Sequence, residues 1–172
     1  MIEKAKKVAE EAHKGKVRKF SGEPYIVHPL SVANIVENHK GSHRIKELVT
    51  AAILHDTLED THLTEKELEE MFSELTVSLV KELTTDEEER NRLGKNVYLA
   101  KKMINMSGWA LVIKLADRLD NLDPKDPIEF RKRYSEDTRY ILKELEEKRE
   151  LTKTHKILIA KIKEVLVWAT KF

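Results

Sequence analysis

Cysteine is absent from the chain, which excludes disulfides and thiolate zinc sites. Glycine and proline are scarce, five and four among 172 residues, and they gather at a few joints. That scarcity speaks against many strands and tight turns and in favour of helices. No apolar run reaches the roughly 18 residues of a membrane span, and Met1 opens into an amphipathic pattern rather than a secretory leader. A cytoplasmic location away from membranes is therefore expected. An excess of one charge is also missing, since 32 Lys and Arg offset 31 Asp and Glu. Without a basic field, no nucleic-acid partner is expected. Low net charge together with a 40% hydrophobic fraction excludes a disordered chain.

What is present is helical periodicity. The length suits one domain, residues 1–172, and the apolar content is enough for a sizeable core. Ile2, Ala5, Val8, Ala9 and Ala12 share one face of a first helix. The pattern stops from Lys14 to Pro29, where Gly15, Ser21, Gly22 and Pro24 mark a long loop, often a functional feature in a compact domain. Leu30 to Val36 begins a second helix that ends near Gly41. Ser42 is placed to cap a third, which runs on through His55 to Asp60. Thr64 followed by Glu67 has capping-box spacing and predicts a further start. Leu75–Leu83, Asn91–Met106 and Trp109–Leu122 read as three more helices. Asp126, Pro127 and Glu129 read as cap, first-position proline and favourable acid for a helix reaching about Arg149. A last helix is predicted from Thr154 to Ala169, packed on the rest, with Trp109 and Trp168 in apolar stripes. The fold class is all-α, a helical bundle.

Chemistry concentrates in Ala51-Ala-Ile-Leu-His-Asp-Thr-Leu-Glu-Asp60. His55 and Asp56 are adjacent, and each is followed four residues later, on its own helix face, by a carboxylate, Glu59 and Asp60, so one helix would present an imidazole and a carboxylate with a second carboxylate pair one turn further on. An imidazole with carboxylates suits Mn²⁺, Fe²⁺, Co²⁺ or Zn²⁺. A salt-bridged helix end is the plainer alternative. His28 closes the long loop beside Pro29. Asp117 lies within Leu111-Val-Ile-Lys-Leu-Ala-Asp-Arg-Leu119, where an unpaired acid is costly to bury. It could equally pair with Lys114 or Arg118.

Taken together, His28, His55-Asp56 and Asp117 resemble the H…HD…D signature of the HD superfamily. Arg18-Lys19, Ser21 to Pro29, His55 to Thr61 and Lys114 to Asn121 are similar to the hydrolase domain of RelA/SpoT homologues. The resemblance covers about residues 1–150 and is greatest to the stand-alone small alarmone hydrolases. It implies an HD-domain helical bundle in which His28, His55, Asp56 and Asp117 bind one divalent metal, usually Mn²⁺. Glu59 and Asp60 match the acidic pair that orients or deprotonates the attacking water. The implied reaction is hydrolysis of guanosine 3′,5′-bis(diphosphate), ppGpp, at the 3′ position, giving pyrophosphate and GDP.

For substrate contacts the resemblance offers Arg18, Lys19, Ser21, Asn121 and Tyr134. Each has a plainer alternative: solvated charge for the loop residues, a helix cap for Asn121, a core position for Tyr134. Lys14 and Lys16 read as ordinary solvated lysines. Lys95, Lys101, Arg131 and Arg133 are weaker phosphate candidates, each more in keeping with a surface charge. Phe20 departs from the family's loop, and Pro124 stands where the family often has Thr, which leaves the base preference open. An adenine alarmone or NADPH is the alternative substrate, and a non-catalytic nucleotide-binding module the alternative class. His13, His39, His43, His62 and His155 fit no motif and read as structural or exposed. The expected partner is a small nucleotide, with the oligomeric state open and a homodimer one option.

Overall fold

A computed structural model describes residues 1–169, and they form eleven helices and no strand. The chain divides into two compact units, Met1–Thr84 and Thr85–Phe172.

The first unit holds α1 (Ile2–Ala12), α2 (Val27–His39), α3 (Ile45–Leu54), α4 (Thr57–Asp60), α5 (Glu65–Met71) and α6 (Glu74–Leu83). Every residue from Leu48 to Leu54 on α3 is buried. A helix buried over two full turns belongs at the centre of a unit, and α1, α2 and α6 pack against this one. Burial of a side chain such as Leu48 or Leu54 contributes about 1.5–3 kcal/mol. The capping box predicted from Thr64 and Glu67 is present in both arms, the Glu67 amide donating to Thr64 Oγ1 and the Thr64 amide to Glu67 Oε2.

The second unit holds α7 (Glu87–Leu93), α8 (Lys95–Asn105), α9 (Gly108–Asp120), α10 (Ile128–Lys148) and α11 (Lys153–Ala169). Here α8 and α11 both pack against α10, and α11 also packs against α9. Ser107 caps α9 by accepting the Ala110 amide at 3.2 Å. His155, read as structural, bonds the Gly108 carbonyl at 2.8 Å and so ties α11 to the start of α9.

Several boundaries differ from the sequence reading, each for a local reason. The third helix does not carry through to Asp60. It stops at Leu54, because His55 Nδ1 donates to the Ala52 carbonyl at 2.8 Å and Thr57 Oγ1 to that of Leu54 at 2.6 Å. Side chains that take helix carbonyls compete with the ladder, and α4 begins only at Thr57. Ser42 accepts the Arg44 amide in a turn instead of capping α3. The stretch Asn91–Met106 is split by Gly94, whose φ of +82° is open to glycine and strained for other residues. Asp126 is not the cap of α10, where Pro127 takes that place without a side-chain bond. Trp168 is 63% exposed, so the apolar stripe expected at that position does not bury it.

Candidate metal centre and active site

The loop between α1 and α2 is folded back on itself. Gly22 at φ +72° permits the turn, and main-chain bonds link Arg18 N–H to the Glu23 carbonyl at 2.8 Å and Tyr25 N–H to that of Lys16 at 3.0 Å. Val17 and Pro24 form an isolated antiparallel bridge. The return arm of this hairpin delivers Tyr25 and then His28, in the first turn of α2, to the junction between α3 and α4. Pro29 is accommodated there because amides in the first turn have no intrahelical acceptor.

His28, His55 and Asp56 converge, with one ligand atom from each lying within 4.8 Å of the others. Both imidazoles are buried and the carboxylate is half-buried. Asp56 Oδ2 stands 3.1 Å from His55 Nε2 and 3.6 Å from His28 Nε2. The tautomer of His55 follows from its other nitrogen. A carbonyl only accepts, so Nδ1 carries the hydrogen donated to Ala52, and Nε2, which faces the carboxylate, has its lone pair directed there whenever the ring is neutral. Two electron-rich atoms at that separation require a positive charge nearby, either a proton or a cation. A metal-ligating imidazole commonly donates its other ring N–H to a carbonyl, as His55 does to Ala52. The donor set of two nitrogens and one oxygen therefore fits a divalent transition ion.

The carboxylates that follow lie on α4. Glu59 and Asp60 are exposed. Asp60 is held by Lys16, whose Nζ bonds its main-chain carbonyl and sits 3.7 Å from its carboxylate. Lys16 is thus a link between the hairpin and α4 rather than a merely solvated lysine. At the hairpin tip, Lys19 lies over the Phe20 ring, 5.3 Å from its centroid, and Ser21 Oγ accepts the Glu23 amide at 3.3 Å.

In the second unit, Asp117 is buried on α9 and paired with Lys114 Nζ at 2.8 Å, one of the two cations the sequence offered it. Asn121 is the helix cap that the sequence offered as the plainer reading, and it makes one further bond. It ends α9 as the C-terminal cap, and its side-chain amide donates to Asp117 Oδ1 at 2.6 Å. Tyr134 is half-buried on α10, with the Arg118 guanidinium 4.9 Å from its ring centre. Burial holds its hydroxyl above the ordinary phenol range, partly offset by Arg118. Among the weaker phosphate candidates, Lys101 is engaged by Glu89 at 2.6 Å.

Sequence reasoning passed over two residues at the trio. Tyr25 donates its hydroxyl to Asp56 Oδ2 at 2.7 Å, and His13 stacks on Tyr25 with ring centroids 4.7 Å apart. Tyr25 did lie inside the Ser21–Pro29 motif. His13 carried no spacing signal, since the chain reversal that brings it close is a property of the loop.

The sequence profile of the family described as "HD domain" matches residues 5–152. This chain belongs to the HD-domain family. It is similar to the guanosine-3′,5′-bis(diphosphate) 3′-pyrophosphohydrolase MESH1 of Xenopus tropicalis, 39% identical over 127 residues that cover 71% of this chain and 68% of that protein. The guanosine-3′,5′-bis(diphosphate) 3′-pyrophosphohydrolase of Aquifex aeolicus (strain VF5) is 37% identical over 130 residues, 70% of this chain but 17% of that protein. The chain thus spans about a sixth of such long relatives, and 63% of the MESH1 protein of Danio rerio. A solved structure described as a metazoan ortholog of SpoT that hydrolyzes ppGpp superposes with a TM-score of 0.77 at 27% identity, covering 97% of this chain and 94% of that one. The all-α HD-domain fold expected from the residues is the observed one. No helix of the described residues is long and apolar enough to cross a membrane.

Proposed function

We propose that this chain hydrolyses guanosine 3′,5′-bis(diphosphate) at its 3′ position, releasing pyrophosphate and leaving GDP, with one divalent ion, Mn²⁺, as cofactor. The observation that carries the reading is the convergence of His28, His55 and Asp56, with the His55 tautomer set by the Ala52 carbonyl. The relatives named as 3′-pyrophosphohydrolases of this nucleotide support the substrate class. The H…HD…D pattern adds Asp117 to the donor set. A bound divalent ion supplies Lewis-acid polarisation of a phosphate oxygen and acidifies water beside it.

The chain's own residues do the rest. His28 and His55 donate neutral nitrogens, and Asp56 contributes negative charge. Glu59, exposed on α4, takes the proton that water loses as its oxygen attacks phosphorus. Asp60, steadied by Lys16, keeps α4 aligned and adds a second acceptor. The bond between the ribose 3′ oxygen and phosphorus breaks, and that oxygen takes up the proton that Glu59 drew from water, leaving as the GDP 3′-hydroxyl. Arg18 and Lys19 supply positive charge for the phosphates, and the Arg18 plane can stack on the purine. Ser21, Asn121 and Tyr134 offer hydroxyl and amide groups to the ribose.

The test is release of pyrophosphate from ppGpp by the purified chain, with Mn²⁺ and with a chelator. Mn²⁺-dependent release is expected, and release that persists in the chelator would remove the metal from the reading. Because Pro124 stands where related chains often carry Thr, the adenine analogue and NADPH belong in the same assay, ranked by kcat/KM. A higher value for either would replace the guanine substrate while keeping the site.

A further inference from the structure

We infer that Tyr25 is a positioning residue for the metal-binding carboxylate and that the His13 ring holds Tyr25 in place, an inference that rests on the metal reading above. The Tyr25 hydroxyl donates to Asp56 Oδ2 at 2.7 Å, and this same oxygen faces His55 Nε2 and His28 Nε2. A carboxylate oxygen has two lone-pair directions. With one taken by the phenol, the carboxylate is locked in rotation and the other direction remains for the ion between the imidazoles. The phenol thereby fixes which oxygen of Asp56 faces the two imidazoles. Without the hydroxyl, Asp56 could turn about its side-chain torsions, and ordering it would oppose ion binding.

The phenol is itself constrained on three sides. Its main-chain amide is bonded to the Lys16 carbonyl at 3.0 Å. Its ring meets the His28 ring edge-on, with centroids 5.9 Å apart and planes at 71°. The third side is the His13 ring, nearly parallel at 23°. His13 Nδ1 donates to the Ala9 carbonyl at 2.9 Å, which anchors the imidazole to the end of α1. The other nitrogen of His13 is buried and meets no hydrogen-bond partner among the described residues. The ring is thus used as a flat neutral surface, in agreement with the burial that lowers its pKa. The order α1, His13, Tyr25, Asp56 forms a continuous brace from a helix end to the ligand. Ligating carboxylates are commonly oriented in this way by an outer hydrogen bond.

The decisive measurement is Mn²⁺ affinity of the full chain by calorimetry, with melting of the chelator-treated protein as a folding control. Tyr25→Phe keeps the ring and removes only the donor. It is expected to weaken Mn²⁺ binding about 10- to 100-fold while the metal-free melt stays near that of the parent. His13→Ala should weaken binding in the same direction, and His13→Phe, which restores a flat ring, should recover most of the loss. A Tyr25→Phe protein that folds and binds Mn²⁺ within about threefold of the parent, below the range for a lost outer partner, overturns the inference and leaves the metal reading standing. A parent protein that takes up no Mn²⁺ sinks the metal reading, and the positioning role with it.

Discussion

Asp117, buried in the second unit, and Asp56, half-buried in the first, are compensated in different ways. Asp117 in the second unit is supplied from its own helix and the next turn, by the Lys114 ammonium at 2.8 Å and the Asn121 amide at 2.6 Å. Asp56 in the first unit faces the imidazole of its neighbour His55 and, from the hairpin and the start of α2, the Tyr25 phenol and the His28 imidazole. A cation three residues away neutralises an acid by helix geometry alone. Imidazoles from separate segments, one with its tautomer set by a carbonyl, form instead a donor set that a transition ion completes. The partners of Asp117 thus come from its own helix, whereas those of Asp56 depend also on the path of the hairpin.

Replacing each acid tests that contrast most severely. Asp56→Ala should abolish Mn²⁺ retention and turnover, a loss exceeding the ~100-fold expected when only an outer partner is removed. If the H…HD…D pattern describes the donor set, Asp117→Ala gives the same two losses. Normal metal uptake and turnover in that variant would confine Asp117 to its pairing with Lys114. Metal content after gel filtration and pyrophosphate release provide both readings.

Glu59→Gln is the next largest effect. It should leave Mn²⁺ affinity close to the parent and lower kcat by about 10²- to 10⁴-fold, the range for loss of a general base. Affinity falling in step with kcat would move Glu59 into the donor set.

A smaller effect is expected in the second unit. Arg118 is buried, donating to Thr138 Oγ1 at 2.9 Å and lying over the Tyr134 ring. Its replacement by Ala should cost about 1–3 kcal/mol in denaturant unfolding, as for a buried bond to a charged group. Mn²⁺ affinity of the folded protein should be unchanged if this network serves packing and Tyr134 alone.

The smallest effect is one of pH. Burial lowers the pKa of His13 below the ordinary 6.5, opposed by the Ala9 carbonyl and Asp56, aided by Lys16 and opposed again by Asp60. Above that ordinary value both folded and unfolded chains hold the ring neutral, and His13 adds no pH dependence. As pH falls below it, the unfolded chain takes up the proton more readily and the folded state loses stability, until the lower folded pKa is passed. Melting of the chelator-treated protein should therefore decline below about pH 6.5, with a shallower decline in His13→Phe. An identical slope in both proteins would place the titration elsewhere.

Much of this molecule was legible as text. Helical periodicity, the Thr64–Glu67 box and the shortage of glycine and proline dictate an all-α chain, because each acts over a few residues. Four separated motif segments point to the HD-domain family in the same way, through residue identity and order. Only the tertiary structure decided which groups meet. The α3 helix ends at Leu54 because His55 and Thr57 side chains capture its carbonyls, a competition that periodicity does not record. Tyr25 reaches Asp56 through a chain reversal at Gly22, and His13 reaches Tyr25 by the same reversal. Residues that share a helix face are set by local geometry, whereas residues that share an ion are set by the path of the whole loop.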